Sequence, residues 1–295
     1  MRADNTDPAH EAISTAADIV GRRMAERHAD AAAAFCRLFY AHAPRGDIAG
    51  VDPETLALRA LSIFKLAASR DDAPLVRAYN PTLSDDGWQS GHTIVEIVHD
   101  DMPFLVDSIT AEINRRGLTV HLIIHPVLRL TRKDGDIVEV AERRREAGDE
   151  SVMQVHIDER TDVKELADLE DGLKEVLRSV RAAVGDWAEM RNHVASAIED
   201  LTLRAPSAVD AKQAAEGADF LAWLDDDHFT FLGYREYAFS GDGDDFRSKA
   251  KTETGLGLLR ADLATSKVIG GNIDSLPAAA AARMKEPRVL TVLKS

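Results

Sequence analysis

The chain has almost no cysteine and no long apolar run. Cys36 is the single cysteine in 295 residues, so no intrachain disulfide can form. No stretch reaches the ~18 consecutive apolar residues that a membrane-spanning helix needs. The opening MRADNTDPAHEA has no apolar core of the kind that a signal peptide carries. These absences predict a cytoplasmic protein that is neither exported nor inserted into a membrane.

Basic residues are also outnumbered by acidic residues. Lysine and arginine number 36 against 51 aspartates and glutamates, which gives a formal net charge of −15. Such a field repels phosphate backbones and anionic lipid surfaces, so nucleic acid and membranes are not expected partners. The composition, with 45% hydrophobic and 29% charged residues, is that of a globular protein. The length is about twice the usual ~150 residues of one domain, which predicts two or more compact units.

The motifs of common catalytic sites are missing as well. A P-loop and a metal-binding HExxH are both absent from the sequence. Gly255 and Gly257 begin a run that a dinucleotide-binding turn would complete with a third glycine, but Arg260 stands in that place. We therefore predict a structural turn there, and we assign no catalytic, cofactor-binding or metal-binding residue. Cys36 follows an alanine-rich run without a nearby basic cluster, and we interpret it as a buried packing thiol.

Histidines provide the main alternative. His121 and His125 flank an apolar stretch in a predicted strand, so both are expected on one face, and His156 could approach them from a neighbouring strand. Ordinary strand residues are one interpretation. Effector binding, subunit contact, and a metal or acid–base site in a freestanding small-molecule enzyme are the others. The acidic run at Asp225, Asp226, Asp227 and His228 is interpreted as a solvated turn in preference to a calcium site.

The pattern of apolar residues divides the chain into four parts. Residues 1–74 have helical spacing, and Asp52 and Pro53 are typical of a helix start. Residues 75–184 read as β, α, β, β and α, lacking only one strand of a βαββαβ unit. Residues 185–224 form a helical spacer, and residues 225–295 begin a second β-containing unit whose last strand, RVLTVLKS, suggests a truncated chain. The predicted fold class is α+β, with a ferredoxin-like sheet that has both helices on one face.

The most informative segment is HDDMPFLVDSITAEINRRGLTV, in which a strand ends in acidic residues, turns at a proline and enters an apolar helix. Asp100 or Asp101 is predicted to accept hydrogen bonds from the helix start, with Pro103 in the first turn. Gly117 is predicted to end the helix. Asp101, Pro103, Leu105 and Ile109 give the pattern D-x-P-x-L-x-x-x-I, which resembles the opening of ACT domains, small modules that bind amino acids. Many ligand-binding ACT domains have glycine after the proline, whereas this chain has Phe104, a side chain that would close the usual pocket.

A wider resemblance covers residues 92–260. The strings DDMPFLVDSITAEINRRGL, HLIIHPVLRL, DDHFTFLGYREY and GLGLLR are similar to the N-terminal part of the large bacterial NAD-specific glutamate dehydrogenases. The resemblance implies a parent enzyme that oxidatively deaminates L-glutamate to 2-oxoglutarate and ammonium with NAD as its cofactor. It also implies a distant catalytic region, so this segment itself is expected to be non-catalytic and to need no cofactor.

Together these observations predict a regulatory segment whose partners are other copies of itself and, if it is a sensor, an amino-acid effector. The candidate effector-binding residues form one turn: Asp100, Asp101, Met102, Pro103 and Phe104. A helix start offers N–H groups that suit a carboxylate, which favours this place. The alternatives are an architectural arm that only joins subunits and the histidine-based enzyme.

Overall fold

A computed structural model describes residues 7–143, 147–205, 207, 209–240 and 247–263. The chain divides into two compact units, residues 1–177, here called the sheet unit, and residues 178–295, here called the hairpin unit. Each is described by itself. The predicted boundaries at 74/75, 184/185 and 224/225 remain predictions.

The helices of the sheet unit begin where the sequence provides caps. The Asp52 carboxylate accepts a hydrogen bond from the Thr55 N–H at 3.3 Å, and Pro53 is the first helical residue, as predicted. The predicted helical segment between Asp7 and Ala43 is two helices. The bounds are α1 (Pro8–Arg23), α2 (Glu26–Tyr40), α3 (Arg45–Ile48), α4 (Pro53–Ala68), α5 (Leu105–Arg115) and α6 (Val163–Gly185), the last of which contains the boundary between the units.

One antiparallel sheet of six strands forms the centre of this unit. Its strands are β1 (Leu75–Tyr79), β2 (Thr93–Asp100), β3 (Val120–Ile124), β4 (Val127–Lys133), β5 (Asp136–Glu142) and β6 (Asp149–Ile157). The order is β1-β2-β6-β4-β5, and β3 pairs with β6 beside β4. Strand β6 is therefore central, with β2 along one side and β3 followed by β4 along the other.

The predicted order β, α, β, β, α is present as β2, α5, β3 with β4, β6 and α6, so the mixed α+β class is confirmed. Two details differ. The second predicted strand is two strands, β3 and β4, because Pro126 between them lacks the N–H that a continuous ladder needs. The hairpin to β5 was not predicted, although its Asp134-Gly135 turn, with φ of 54° and 86°, is a common hairpin signal.

The described chain after α6 adds no strand to this sheet; it continues into another helix. The outer side of β2 is instead paired with β1, which precedes the unit in sequence and runs antiparallel to it, with Ala78 opposite Val95. The sheet is thus completed from the N-terminal side of the chain.

Both faces of the sheet are covered. The helical face carries the largest apolar core, in which Phe35, Phe64 and Val20 from the N-terminal helices pack with Val98, Val152 and Leu128 from the strands. The alternate positions of the central strands, including Val95, Ile97, Met153 and Val155, are buried on the opposite face by the two-residue period of a strand. There the buried stripe of α5, formed by Leu105, Ile109 and Ile113, packs beside β3. Because both faces of β2 and β6 are buried, these strands do not alternate between apolar and polar residues.

The hairpin unit contains α7 (Trp187–Leu203), α8 (Ala211–Trp223), an irregular turn over Leu224–His228 and a two-stranded sheet of β7 (Gly233–Ser240) and β8 (Arg247–Gly257). The β-containing unit predicted from residue 225 has its first strand from Gly233, and Phe229, which precedes that strand, is exposed. A β-carbon on Gly257 would lie 2.3 Å from the carbonyl oxygen of Leu232, so the structural role predicted for this glycine is confirmed. The terminal RVLTVLKS lies outside the described residues.

Candidate functional site

The turn between β2 and α5 contains the five predicted effector-binding residues, and its two aspartates face different partners. Asp100 accepts a hydrogen bond from the Arg70 guanidinium at 2.6 Å. Asp101 accepts from the Ser151 hydroxyl at 3.2 Å and forms an ion pair with Arg143 at 3.1 Å. Since neighbouring residues of an extended chain point to opposite sides, the two carboxylates leave the turn in opposite directions. We call residues 100–104 the β2–α5 turn.

The prediction that Asp100 or Asp101 caps α5 is wrong, because both carboxylates are engaged in these contacts. The N-cap residue is Phe104, which makes no side-chain hydrogen bond to the helix. Pro103 consequently precedes the cap and is not in the first turn. The N-cap residue therefore supplies no side-chain acceptor to the first N–H groups of α5, as a polar residue at this position usually does.

Phe104 itself adopts a left-handed conformation, with φ of 71° and ψ of 0°, and its side chain is 48% exposed. A β-carbon makes this conformation unfavourable by roughly 1–2 kcal/mol, so glycine would be the default residue here. Met102 is half-buried and Pro103 is exposed. The other end of α5 is as predicted, because Gly117 has φ of 72° and Leu118 N–H donates to the Ile113 carbonyl at 3.2 Å.

A partly buried group of four charges, here called the charge network, anchors the turn to the sheet. It consists of Arg70, Asp100, Arg132 and Glu150. Arg70 donates to Glu150 at 2.8 Å as well as to Asp100, and Arg132 also pairs with Glu150. Arg132 reaches the Ala67 carbonyl of α4 at 2.9 Å. The network therefore connects the β2–α5 turn with α4, β4 and β6. A displacement of the turn would be transmitted through these contacts to α4.

On the opposite side of the turn, Asp101, Ser151 and His125 form a hydrogen-bonded chain. The His125 Nε2 lies 2.9 Å from the Ser151 hydroxyl, which is fully buried. Burial and the charge of Arg143 lower the pKa of His125 against the opposing effect of Asp101. In a catalytic triad the histidine lies between the carboxylate and the serine. Here the serine lies between them and donates to the carboxylate, an arrangement that positions side chains and does not activate a nucleophile.

The three predicted histidines are not brought together. A bulge between Val120 and Leu122 removes His121 from the regular alternation, and β3 ends before His125. His121 instead contacts Asp158 at 2.8 Å and its ring lies 4.4 Å from that of His92. His92 in turn lies 6.1 Å from His156. The prediction that His121 and His125 share a face is therefore wrong, and sequence analysis missed His92.

We call His92, His121 and His156 the histidine cluster. Among the residues that the structure describes, no group of three or more histidine, cysteine or acidic side chains is arranged to hold a metal ion. Cys36 is fully buried, and burial raises the pKa of its thiol to about 12, which confirms the packing role predicted for it. Asp225 of the acidic run forms an ion pair with Arg191 at 2.6 Å.

The histidine cluster leads to a pH prediction. Burial, together with the positive charge of Arg59 and the neighbouring histidines, lowers the pKa of His156 to about 3. This pKa is below the ~6.5 of an unfolded histidine, so the folded protein favours the neutral form of His156. The full free energy of unfolding is therefore present above pH ~6.5 and is lost progressively as the pH falls toward about 3. The free energy of unfolding should decrease by up to about 1.4 kcal/mol per pH unit in this window.

Urea denaturation at several pH values tests this contribution. His156→Gln should show a shallower decrease in the free energy of unfolding between pH 6.5 and 4 than the unsubstituted chain. The exposed His42 provides a matched control, and His42→Gln should keep the original slope. Equal slopes in all three proteins would show that His156 is not the group that titrates.

Sequence similarity to known proteins covers most of the chain. Residues 35–173, from α2 into α6, match the family model described as the ACT1 domain of glutamate dehydrogenase. The chain is similar to the NAD-specific glutamate dehydrogenase of Halomonas elongata, with 40% identity over 233 residues, covering 77% of this chain and 14% of that protein. It is also 38% identical over 245 residues to the NAD-specific glutamate dehydrogenase of Pseudomonas aeruginosa, covering 80% of this chain and 15% of that protein. No helix in the described ranges is long and apolar enough to cross a membrane.

Proposed function

Since this chain belongs to the N-terminal region of the large NAD-specific glutamate dehydrogenases and carries their ACT1 domain at residues 35–173, we propose that it is a non-catalytic regulatory segment of such an enzyme. The chain spans about one seventh of the length of the relatives it matches, 14% and 15%. The parent would oxidatively deaminate L-glutamate to 2-oxoglutarate and ammonium with NAD. This segment would act in the cytoplasm as part of a homo-oligomer.

The fold supports this proposal through its resemblance to a βαββαβ module. In the proposed arrangement β2, α5, β3 with β4, β6 and α6 are the first five elements, and β1 takes the edge beside β2 that the final strand would otherwise occupy. A βαββαβ module has both of its own helices on one face of the sheet. The N-terminal helices would then cover the other face. This would leave α5 and the β2–α5 turn accessible while the other face is buried.

The observation that carries the effector proposal is the start of α5. Its first N–H groups receive no side-chain cap from the N-cap residue, and a helix N-terminus favours an anionic group such as the carboxylate of an amino acid. Asp101, held by Ser151 and Arg143 beside this start, provides a negative charge for an ammonium group. Phe104 restricts the approach, so binding is expected to be weaker than glycine at this position would allow.

Thermal denaturation of the chain with each common amino acid, NAD and divalent metals would test the effector proposal. A ligand of the folded state stabilises it by about 2.7 kcal/mol at a concentration 100 times its Kd, so one amino acid should give a saturable rise in Tm. Asp101→Asn should abolish that rise. Asp107→Asn removes an exposed charge from the first turn of the same helix and should preserve it.

Phe104→Gly provides a second variant with two expected results. It should raise the free energy of unfolding by about 1 kcal/mol, because glycine adopts a positive φ without steric conflict. It should also strengthen the response to the amino acid by opening the approach to α5. A complete absence of ligand response in both this variant and the unsubstituted chain would favour the architectural alternative, in which the segment only joins subunits.

The parent reaction requires its own test. The full-length protein should reduce NAD in the presence of L-glutamate, and the 295-residue chain should not. The same full-length protein with Asp101→Asn should retain activity but lose its response to the amino acid identified above. Activity of the isolated chain would refute the assignment as a non-catalytic segment.

A further inference from the structure

A second polar region of the sheet unit lies at the other end of β2. Arg59 of α4 stacks over the indole of Trp88, with 4.9 Å between the guanidinium carbon and the ring centroid. Trp88 is 2% exposed. The Nε of Arg59 and the Nε1 of Trp88 are both buried, and neither has a hydrogen-bond partner among the described residues. Two buried N–H donors therefore lie side by side without an acceptor, an arrangement that costs free energy unless an acceptor is supplied.

Comparison with two other partly buried arginines shows what Arg59 lacks. Arg70 is paired with Asp100 and Glu150, and Arg77 is paired with Glu96. Burial lowers the pKa of each, but these carboxylates outweigh it, so both pKa values are raised. Burial also lowers the pKa of Arg59, and the groups that oppose this effect do not outweigh it, so the pKa of Arg59 stays lowered.

Among the described residues, the groups that raise the pKa of Arg59 against the effect of burial are two phenols and not carboxylates. The opposing influences on its pKa come from Tyr40 and Tyr79, and burial raises the pKa of both phenols, so they are uncharged at neutral pH. The nearby carboxylates are engaged elsewhere. Glu96 accepts from Arg77, Tyr79 and Gln154, and Asp158 accepts from the Thr119 N–H and contacts His121.

His156 of the histidine cluster lies near enough to Arg59 for the guanidinium charge to contribute to its lowered pKa, and the three rings of the cluster differ in exposure. His121 is exposed, His92 is half-buried and His156 is buried. The Nε2 of His156 lies 3.3 Å from the Gln154 side-chain oxygen, to which it donates in its neutral form, so this nitrogen is not an acceptor for Arg59. The histidine cluster thus runs from an exposed ring at His121 to a buried ring at His156 near Arg59.

We propose that Arg59 and Trp88, at the inner end of the histidine cluster, form a binding site for a small oxyanion, a carboxylate or a phosphate. The guanidinium presents a fork of N–H donors that matches the paired oxygens of either group, and the charge of Arg59 would be neutralised in a partly dehydrated setting. The indole N–H is a further donor. Strand β2 is about 23 Å long, since seven steps of ~3.3 Å separate its ends; His92 of the histidine cluster precedes its first residue, and the β2–α5 turn begins at its last. The two proposed sites share no residue.

Tryptophan fluorescence would test this site directly. Trp187→Phe with Trp223→Phe removes the two tryptophans of the hairpin unit, which are 40% and 45% exposed, and leaves Trp88 as the single tryptophan of the chain. Titration of that protein with sodium phosphate, succinate or acetate, at constant ionic strength set by chloride, should produce a saturable change in Trp88 emission. The anion with the lowest Kd distinguishes phosphate from carboxylate recognition.

Arg59→Met in the same background should weaken binding by about tenfold or more, as expected for loss of a charge-assisted hydrogen bond. Arg37→Met is the matched control, because it removes one exposed positive charge from α2, and it should leave the Kd within about twofold. Should Arg59→Met fail to fold, Arg59→Lys keeps the charge and loses the fork, and it should still bind more weakly. An absence of saturable change, or equal loss in the Arg37 and Arg59 variants, would overturn the proposal.

Discussion

Glu150→Ala should lower the free energy of unfolding of the sheet unit by about 3–5 kcal/mol. Glu150 is 4% exposed and is the acceptor shared by Arg70 and Arg132 in the charge network. Removing it leaves two guanidinium groups partly buried without their common counter-charge, and Asp100 alone remains for Arg70. Loss of one partner of a buried ion pair is costly because the remaining charge stays away from water.

Urea denaturation monitored by circular dichroism measures this change. Glu139→Ala is a suitable control, since Glu139 is an exposed residue of the neighbouring strand β5, and it should change the free energy of unfolding by less than about 0.5 kcal/mol. If Glu150→Ala were as stable as this control, solvent would have to reach the arginines, and the charge network could not hold the β2–α5 turn.

Phe35→Ala should also cost about 3–5 kcal/mol, for a different reason. Phe35 is fully buried on α2, and its ring contacts Phe39 and Phe64 with centroid distances of 5.7 and 5.2 Å. Alanine would leave a cavity in the core that α2 and α4 share with the sheet. Because that core is continuous, the helices and the sheet should unfold together.

Hydrogen exchange in Phe35→Ala tests whether the N-terminal helices and the sheet unfold together or separately, as a domain boundary at residue 74 would imply. Loss of protection at β6 amides in parallel with α2 amides would indicate one cooperative unit. Retained protection at β6 with loss at α2 would indicate that the helical region is a separate domain. Asp30→Ala, at an exposed position of the same helix, should leave both sets of amides protected.

Elements with a strong local signal were predictable. The start of α4 at Asp52 and Pro53, the end of α5 at Gly117 and the succession of β2, α5, β6 and α6 all follow from caps and periodicity. The hairpin turn at Asp134-Gly135 carried an equally local signal that was overlooked. In these places the interactions that decide the structure lie within a few residues of one another, so the chain alone contains them.

The arrangement of the candidate sites was not predictable in this way. Asp100 and Asp101 have the composition of a helix cap, yet Arg70, Arg143 and Ser151, distant in sequence, engage them instead. A β-bulge moved His121 away from His125 and toward His92. Both outcomes depend on which strands become neighbours, and a register change of one residue reverses the face of every side chain.

The sequence by itself determined the composition class, the succession of β2, α5, β6 and α6, and the match of residues 35–173 to the glutamate dehydrogenase ACT1 family model, because periodicity, caps and motif spacing are properties of neighbouring residues. Only the tertiary structure decided that β1 completes the sheet, that the acidic turn is tied into a charge network, and that Arg59 lies over Trp88 without a carboxylate partner among the described residues. Those features arise from contacts between residues far apart in the chain, whose strength depends on burial and on exact neighbours.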